Sequence, residues 1–140
     1  MLPTPSKITL QGPGNTPSFE PLNALETSLS NVQKKVLARH DFIQTLLESE
    51  LVVSSVTEIM PDGSGFLPLL LKKLNVQMLV CFTEEERIGK HEQTAPYYVS
   101  ILGKDLLKRL PNGFGLVINP GLSVSFEISP DEAQQIVKAF

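Results

Sequence analysis

The chain has no tryptophan, one cysteine, two histidines and two tyrosines in its 140 residues. A lone thiol, Cys81, forms no internal disulfide, so folding needs no oxidising compartment. His40 and His91 lie far apart, and neither shares a spaced ligand set with Cys81, so no metal is expected. Lys and Arg number 12 against 15 Asp and Glu, for a net charge of -3 and no basic block. That balance disfavours nucleic acid, whose phosphates need a basic face. There is no run of about 18 apolar residues and no basic-then-apolar leader in Met1-Leu-Pro-Thr-Pro-Ser-Lys7, so neither a membrane span nor a signal peptide is expected. The cytoplasm is the expected location, with secretion by a route that reads no such signal as the alternative.

What is present suits one globular domain: 41% hydrophobic residues and a length that buries a single core. Five of the eleven prolines fall in the first 21 residues, with Gly12, Gly14 and Asn15 between them. Residues 1–20 therefore read as a Pro/Gly-rich arm, loose or borrowed by a neighbour, and residues 21–140 as the domain. Ile8 and Leu10 alternate around Thr9, which makes a short edge strand the alternative for that stretch.

From Pro21 the period becomes helical, with Leu22, Leu25 and Leu29 on one face. Asn31 is a candidate cap for a second helix carrying Val32, Val36, Ile43 and Leu47 inward, widened by Leu37, Phe42 and Leu46. Glu50–Val56 is β-branched and reads as a strand. After the turn cluster Pro61-Asp-Gly-Ser-Gly65, the runs Phe66–Leu71 and Val76–Phe82 read as paired strands joined near Lys72–Asn75. Pro68 lacks a ladder donor and marks its strand as an edge or bulged one.

Thr83-Glu-Glu-Glu86 has capping-box spacing for a short helix to about Gly89. His91–Pro96 reads as polar loop, Tyr97–Leu102 as strand and Lys104–Leu110 as helix, stopped by Pro111-Asn-Gly113. Leu116–Ile118 is fully apolar, as a central strand requires. Leu122, Val124, Phe126 and Ile128 alternate with polar residues. Ser129-Pro-Asp-Glu132 combines a capping serine, proline at N1 and glutamate at N3, and starts a last helix with Ala133, Ile136, Val137 and Phe140 inward. The expected class is α+β or α/β: a mixed sheet of about five strands packed against N-terminal helices, short inter-strand helices and a C-terminal helix.

Six pieces occur here in a familiar order. They are Phe42-Ile-Gln-Thr-Leu-Leu-Glu-Ser-Glu-Leu-Val-Val53, Leu67-Pro-Leu69, Leu79-Val-Cys-Phe-Thr83, Pro96-Tyr-Tyr-Val99, Gly115-Leu-Val-Ile-Asn-Pro-Gly121 and Ser129-Pro-Asp-Glu132. Over residues 21–140 the set resembles the N-terminal domain of the SseB family, known from the enhanced serine sensitivity protein. The resemblance implies a small cytoplasmic bacterial α/β domain with no established enzymatic activity. It carries over no catalytic residue. A type III secretion translocon component shares the name and is unrelated.

No reaction is legible in the residues. His40 reads as a solvent-side helical residue, and Cys81 as a small buried hydrophobe rather than an activated nucleophile. Glu84, Glu85 and Glu86 read as a solvated helix start rather than an acid–base pair or cation site. The glycines of Asp62–Gly65 and Gly113–Gly115 make turns, since neither stretch has a phosphate-loop or dinucleotide pattern. Tyr97 and Tyr98, adjacent in a strand, must point to opposite faces, so one reaches a surface beside His91–Pro96. Tyr97, Tyr98, His91 and the arm residue Phe19 are the candidate interaction residues.

The expectation is a non-catalytic protein-interaction module without cofactor or metal, acting through a protein partner or self-association. One alternative is a small-molecule domain, amino-acid-related, binding or regulatory. Another is a secretion-associated or toxin-inhibiting partner protein.

Overall fold

A computed structural model describes residues 20–139. The arm, the alternating Ile8–Leu10 stretch, Phe19 and Phe140 lie outside the described residues. Asn23 starts α1 (Ala24–Gln33), its side chain accepting from the Glu26 N–H and so satisfying one of the donors that a helix start leaves unpaired. Leu25 and Leu29 then face inward, while Leu22, expected on the same stripe, is exposed.

Asn31 does not cap a second helix; α1 runs through it. The helix ends because Lys35 adopts φ 65°, with Lys35 N donating to Val32 O at 3.1 Å and Val36 N to Asn31 O at 2.9 Å. This is a Schellman closure with lysine where glycine is usual. Val36 is thereby thrown out to 76% exposure instead of packing. The second helix, α2 (Arg39–Leu47), begins only at Arg39 and buries Phe42, Ile43, Leu46 and Leu47.

The strands are β1 (Glu50–Ser55), β2 (Leu70–Lys73), β3 (Val76–Cys81), β4 (Tyr97–Leu102), β5 (Phe114–Ile118) and β6 (Phe126–Ile128). They form a mixed α+β arrangement of a four-stranded sheet, β2-β3-β5-β6, and a two-stranded sheet, β1-β4. The mixed α+β class is as expected, with six strands in two sheets among the described residues. The sheets are tied where Val52 and Phe82 exchange two backbone hydrogen bonds of 2.8 Å and where Ser55 bridges Pro68.

Within the larger sheet, β3 and β5 are parallel, and their outer neighbours β2 and β6 pair antiparallel. Leu116–Ile118 is central, as its apolar run requires, and β2 is an edge, in line with Pro68 just before it. Leu74 and Asn75, at φ 51° and 66°, make the two-residue β2–β3 turn whose twist suits a hairpin. Of the alternating Leu122–Ile128 run, only Phe126–Ile128 pairs as strand.

Between strands lie two 3₁₀ segments, Glu85–Arg87 and Gly89–Gln93, so the stretch read as loop is partly helical. Then come α3 (Gly103–Arg109) and, after Ser129 caps it as read, α4 (Pro130–Lys138). The main core joins all four helices to one sheet face through Leu29, Phe42, Leu46, Leu79, Cys81, Leu106, Ile118 and Ala133. Each fully buried large side chain there contributes about 1.5–3 kcal/mol. Val52, Met78, Val80, Phe82 and Val117 form a second cluster on the opposite face, covered by Ile88 between the 3₁₀ segments.

Gly103 sets the β4–α3 junction. A Cβ there would overlap the Leu46 carbonyl, while Gly103 N donates to Ser49 O at 2.7 Å. Only glycine lets the end of α2 come this close.

Candidate functional site

In sheets with parallel strands, the C-terminal strand ends are the usual place for a ligand. Here β3 and β5 end at Phe82-Thr83 and Asn119, and a polar latch fills that end. Glu26, fully buried on α1, takes four hydrogen bonds on its carboxylate. Oε1 accepts from Leu22 N at 2.7 Å and Arg87 Nη2 at 2.7 Å; Oε2 accepts from Thr83 Oγ1 at 2.5 Å and Arg87 Nε at 2.8 Å.

Burial alone would push the Glu26 carboxyl up, but the Arg87 and Thr83 hydrogen bonds, the Leu22 N–H and the Arg87 charge together hold it below its usual range. The Arg87 guanidinium is raised in turn, chiefly by its hydrogen bonds to Glu26. Arg87 also donates to Glu20 O at 2.6 Å. Asn23 Nδ2 reaches Thr83 O at 2.9 Å and Glu84 Oε2 at 2.7 Å. Thr83 therefore serves Glu26 and is not the cap expected of it; Glu84 occupies the N-cap position without a side-chain cap bond. With its carboxylate saturated, Glu26 is a fastening between α1 and the strand ends.

Sequence reasoning passed over Glu26, Arg87 and Asn119 as a set. One signal was available: Glu26 sits between Leu25 and Leu29 on the inward stripe of α1, and a carboxylate there requires partners.

The open surface is at β4. Among the described residues, β4 pairs with β1 alone, leaving one edge of backbone donors and acceptors unpaired. Tyr97 and Tyr98 at its start are 41% and 44% exposed, and strand geometry sends them to opposite faces. Tyr97 shares a face with Val99 and Ile101, which line a crevice of about 560 Å³ with Phe66, Pro68, Leu106 and Leu110. The exposed Asp105 and Arg109 of α3 also line it.

Tyr98 lies on the other face. Its pKa is raised, chiefly by the Glu85 carboxylate, with burial and the charge of Glu86 adding to the shift. His91 lies in the second 3₁₀ segment. Half-buried, it packs its ring on Phe82 with centroids 5.6 Å apart. The structure thus brings Tyr97 and Tyr98 to one edge and turns His91 inward, while Phe19 lies outside the described residues. His40 is on the exposed side of α2.

A wider concavity of about 690 Å³ lies beside Arg39 and Phe126. There Arg39 grips Glu132 with two bonds of 2.6 and 2.8 Å and sits 4.3 Å above the Phe126 ring, joining α2 to α4. The Cys81 thiol is fully buried, and burial pushes its pKa far up, which keeps it protonated.

Among the described residues, no helix is long and apolar enough to cross a membrane. Nor is any group of three His, Cys, Asp or Glu placed to hold a metal ion. No curated protein and no solved structure matches the chain. The profile of the SseB protein N-terminal domain matches residues 25–135, a span that takes in the whole Glu26–Thr83–Asn119 latch and the β4 edge. The chain belongs to the SseB N-terminal domain family.

Proposed function

We propose that the chain is a non-catalytic protein-interaction domain that takes an extended segment of a partner along the free edge of β4. The supporting observation is that edge itself: pairing on one side alone among the described residues, two exposed tyrosines on opposite faces, and an apolar crevice lined by Val99 and Ile101. Strand addition gives affinity through main-chain bonds and selectivity through alternate side chains. The saturated Glu26 and the protonated Cys81 support a role without bond-making chemistry. A reduced, buried thiol also suits the cytoplasm.

Selection of displayed peptides on the full chain tests this. The expected winners alternate apolar and polar residues, slow amide exchange in β4, and bind about tenfold or more weakly to the Tyr97→Ala/Tyr98→Ala variant. Failure to enrich any peptide, or winners that leave β4 exchange unchanged, would sink the reading.

The crevice supports a second reading, an amino-acid-related ligand, because its volume suits a small molecule and Asp105 and Arg109 offer one charge of each sign. A ligand at one hundred times its Kd should stabilise the fold by about 2.7 kcal/mol. Thermal melts across the amino acids check this, and a flat set of curves removes it.

A further inference from the structure

We propose that the turn between α1 and α2 and the turn between β2 and β3 form a peripheral docking surface for an anionic lipid bilayer. Each turn inserts one aliphatic side chain into the interface and sets lysines against the headgroups. This surface lies apart from β4 and does not depend on the strand-accepting edge.

The two turns repeat one pattern. Lys34-Lys35-Val36 and Lys72-Lys73-Leu74 each place a lysine pair before an aliphatic residue. Leu74 at 90% exposure and Val36 at 76% are the most exposed large apolar side chains among the described residues. Single exposed aliphatics are ordinary, but these two stand in turns whose backbone is left-handed, at Lys35 and at Leu74. The other described non-glycine residues in that conformation, Asn75 and Asn119, are of the type that tolerates it. Internal packing does not account for the leucine: its backbone is in a sparsely populated region and its side chain touches little of its own fold.

Hydrogen bonds hold the two turns at one end of the molecule. Arg39, just past the first turn, donates from Nη2 to Glu127 O at 2.8 Å, and Glu127 Oε2 accepts from Lys73 Nζ at 2.6 Å. Gln33, just before the first turn, donates to Ser123 O at 2.6 Å and accepts from Ser125 N at 3.1 Å. The segment leading into β6 thus ties down both turns. Arg39 lines one concavity with Lys35 and another with Lys73 and Leu74.

Charge selects the occupant. In a chain of net charge -3, five of the 12 Lys and Arg lie in or next to these turns: Lys34, Lys35, Arg39, Lys72 and Lys73. Glu132 pairs with Arg39 and Glu127 with Lys73, while Lys34, Lys35 and Lys72 carry no ion pair among the described residues. Asp41 and Asp131 lie in the first turns of α2 and α4, where the helix dipole offsets their charge. The surplus is positive, and an anionic bilayer attracts cations held within about a Debye length of it. The apolar groups are convex tips and not the walls of a groove, so they need a medium that receives them without a matching pocket. A bilayer interface does so, and binding there adds apolar burial to attraction for anionic lipid.

Co-sedimentation of the full chain with phosphatidylcholine vesicles, with and without about one-third phosphatidylserine, tests the proposal. Because the chain has no tryptophan, Val36→Trp and Leu74→Trp each place a single reporter at a tip. The expected result is binding to the anionic vesicles with blue-shifted emission from both tryptophans. Binding should be about tenfold or more weaker in Lys34→Gln/Lys35→Gln/Lys72→Gln and in Val36→Ser/Leu74→Ser. Every one of these positions is exposed, so the variants keep the core. Raising salt from about 0.1 M to about 1 M should weaken binding as charge is screened. The Tyr97→Ala/Tyr98→Ala variant should bind vesicles as the native chain does, which separates this surface from the β4 edge. No binding to anionic vesicles, equal binding to neutral ones, or a tryptophan that stays in water at either tip overturns the proposal. So does binding that survives both sets of substitutions. Retention on a column bearing an acidic, leucine-containing peptide, without vesicle binding, assigns the face to a protein partner and overturns the lipid assignment.

Discussion

Thr83 and Asn119, 36 positions apart, hold each other by two hydrogen bonds: Thr83 N donates to Asn119 Oδ1 at 3.1 Å, and Asn119 Nδ2 donates to Thr83 Oγ1 at 2.9 Å. The pair closes the ends of parallel β3 and β5, and the same threonine hydroxyl donates a hydrogen bond to Glu26. Asn119 takes φ 56° to do this, a conformation asparagine tolerates better than most residues. The Phe82-Thr83 step and the Asn119-Pro-Gly121 turn, two of the pieces behind the family resemblance, are thus one contact.

The latch predicts a large effect from one truncation. Glu26→Ala removes the buried carboxylate to which Arg87 and Thr83 donate, and should cost about 3–5 kcal/mol. Urea unfolding checks this; a loss under 1 kcal/mol, roughly the worth of an exposed pair, would make the network incidental.

Acid should weaken the fold through the same carboxyl. Its folded pKa lies below the usual 4.5, so its contribution is present above that value and is lost as pH falls through the folded pKa. The stability gap between the native chain and Glu26→Gln should therefore narrow as pH falls below the usual 4.5 and through the lower folded pKa. A gap constant across that range would show that Glu26 titrates as in the unfolded chain.

Neighbouring serines should behave oppositely. Ser54 Oγ is buried without a hydrogen-bond partner, whereas Ser55 Oγ donates to Thr57 O at 2.6 Å and accepts from Leu67 N at 3.0 Å. Ser54→Ala should be neutral or stabilising, and Ser55→Ala should cost about 1–3 kcal/mol, by thermal melts of the two variants.

Lys35→Gly should raise stability by up to about 1 kcal/mol, because a left-handed backbone strains any residue with a Cβ. Melting curves read this directly, and a destabilised variant would mean that the lysine side chain holds the turn.

Cys81 should resist thiol reagents in the native state and react fully in denaturant, as burial keeps it protonated. Native labelling at the denatured rate would contradict the packing around β3.

The local patterns carried much of the fold. The Ser129 cap, the Glu50 and Tyr97 strands, the apolar β5 run and the inward faces of α2 and α4 were legible because each is written in spacing over a few residues. The end of α1 was not, since lysine stands where a glycine would have announced the stop. The role of Thr83 was missed because its capping pattern is local, while the partners that claimed its hydroxyl lie on α1 and after β5. Tyr97 and Tyr98 were found from strand alternation. That both are exposed, and that His91 turns inward onto Phe82, depends on which elements cover β4 and β3.

Composition and periodicity alone determined the class of fold, the order of its elements and the burial of most apolar side chains, because burial follows a repeat that neighbouring residues spell out. Tertiary structure alone decided that the described strands divide into two sheets, that β4 pairs among them with β1 alone, and that Glu26, Arg87, Thr83 and Asn119 meet. Those outcomes turn on contacts between segments some 36 to 61 residues apart, which no short-range pattern records.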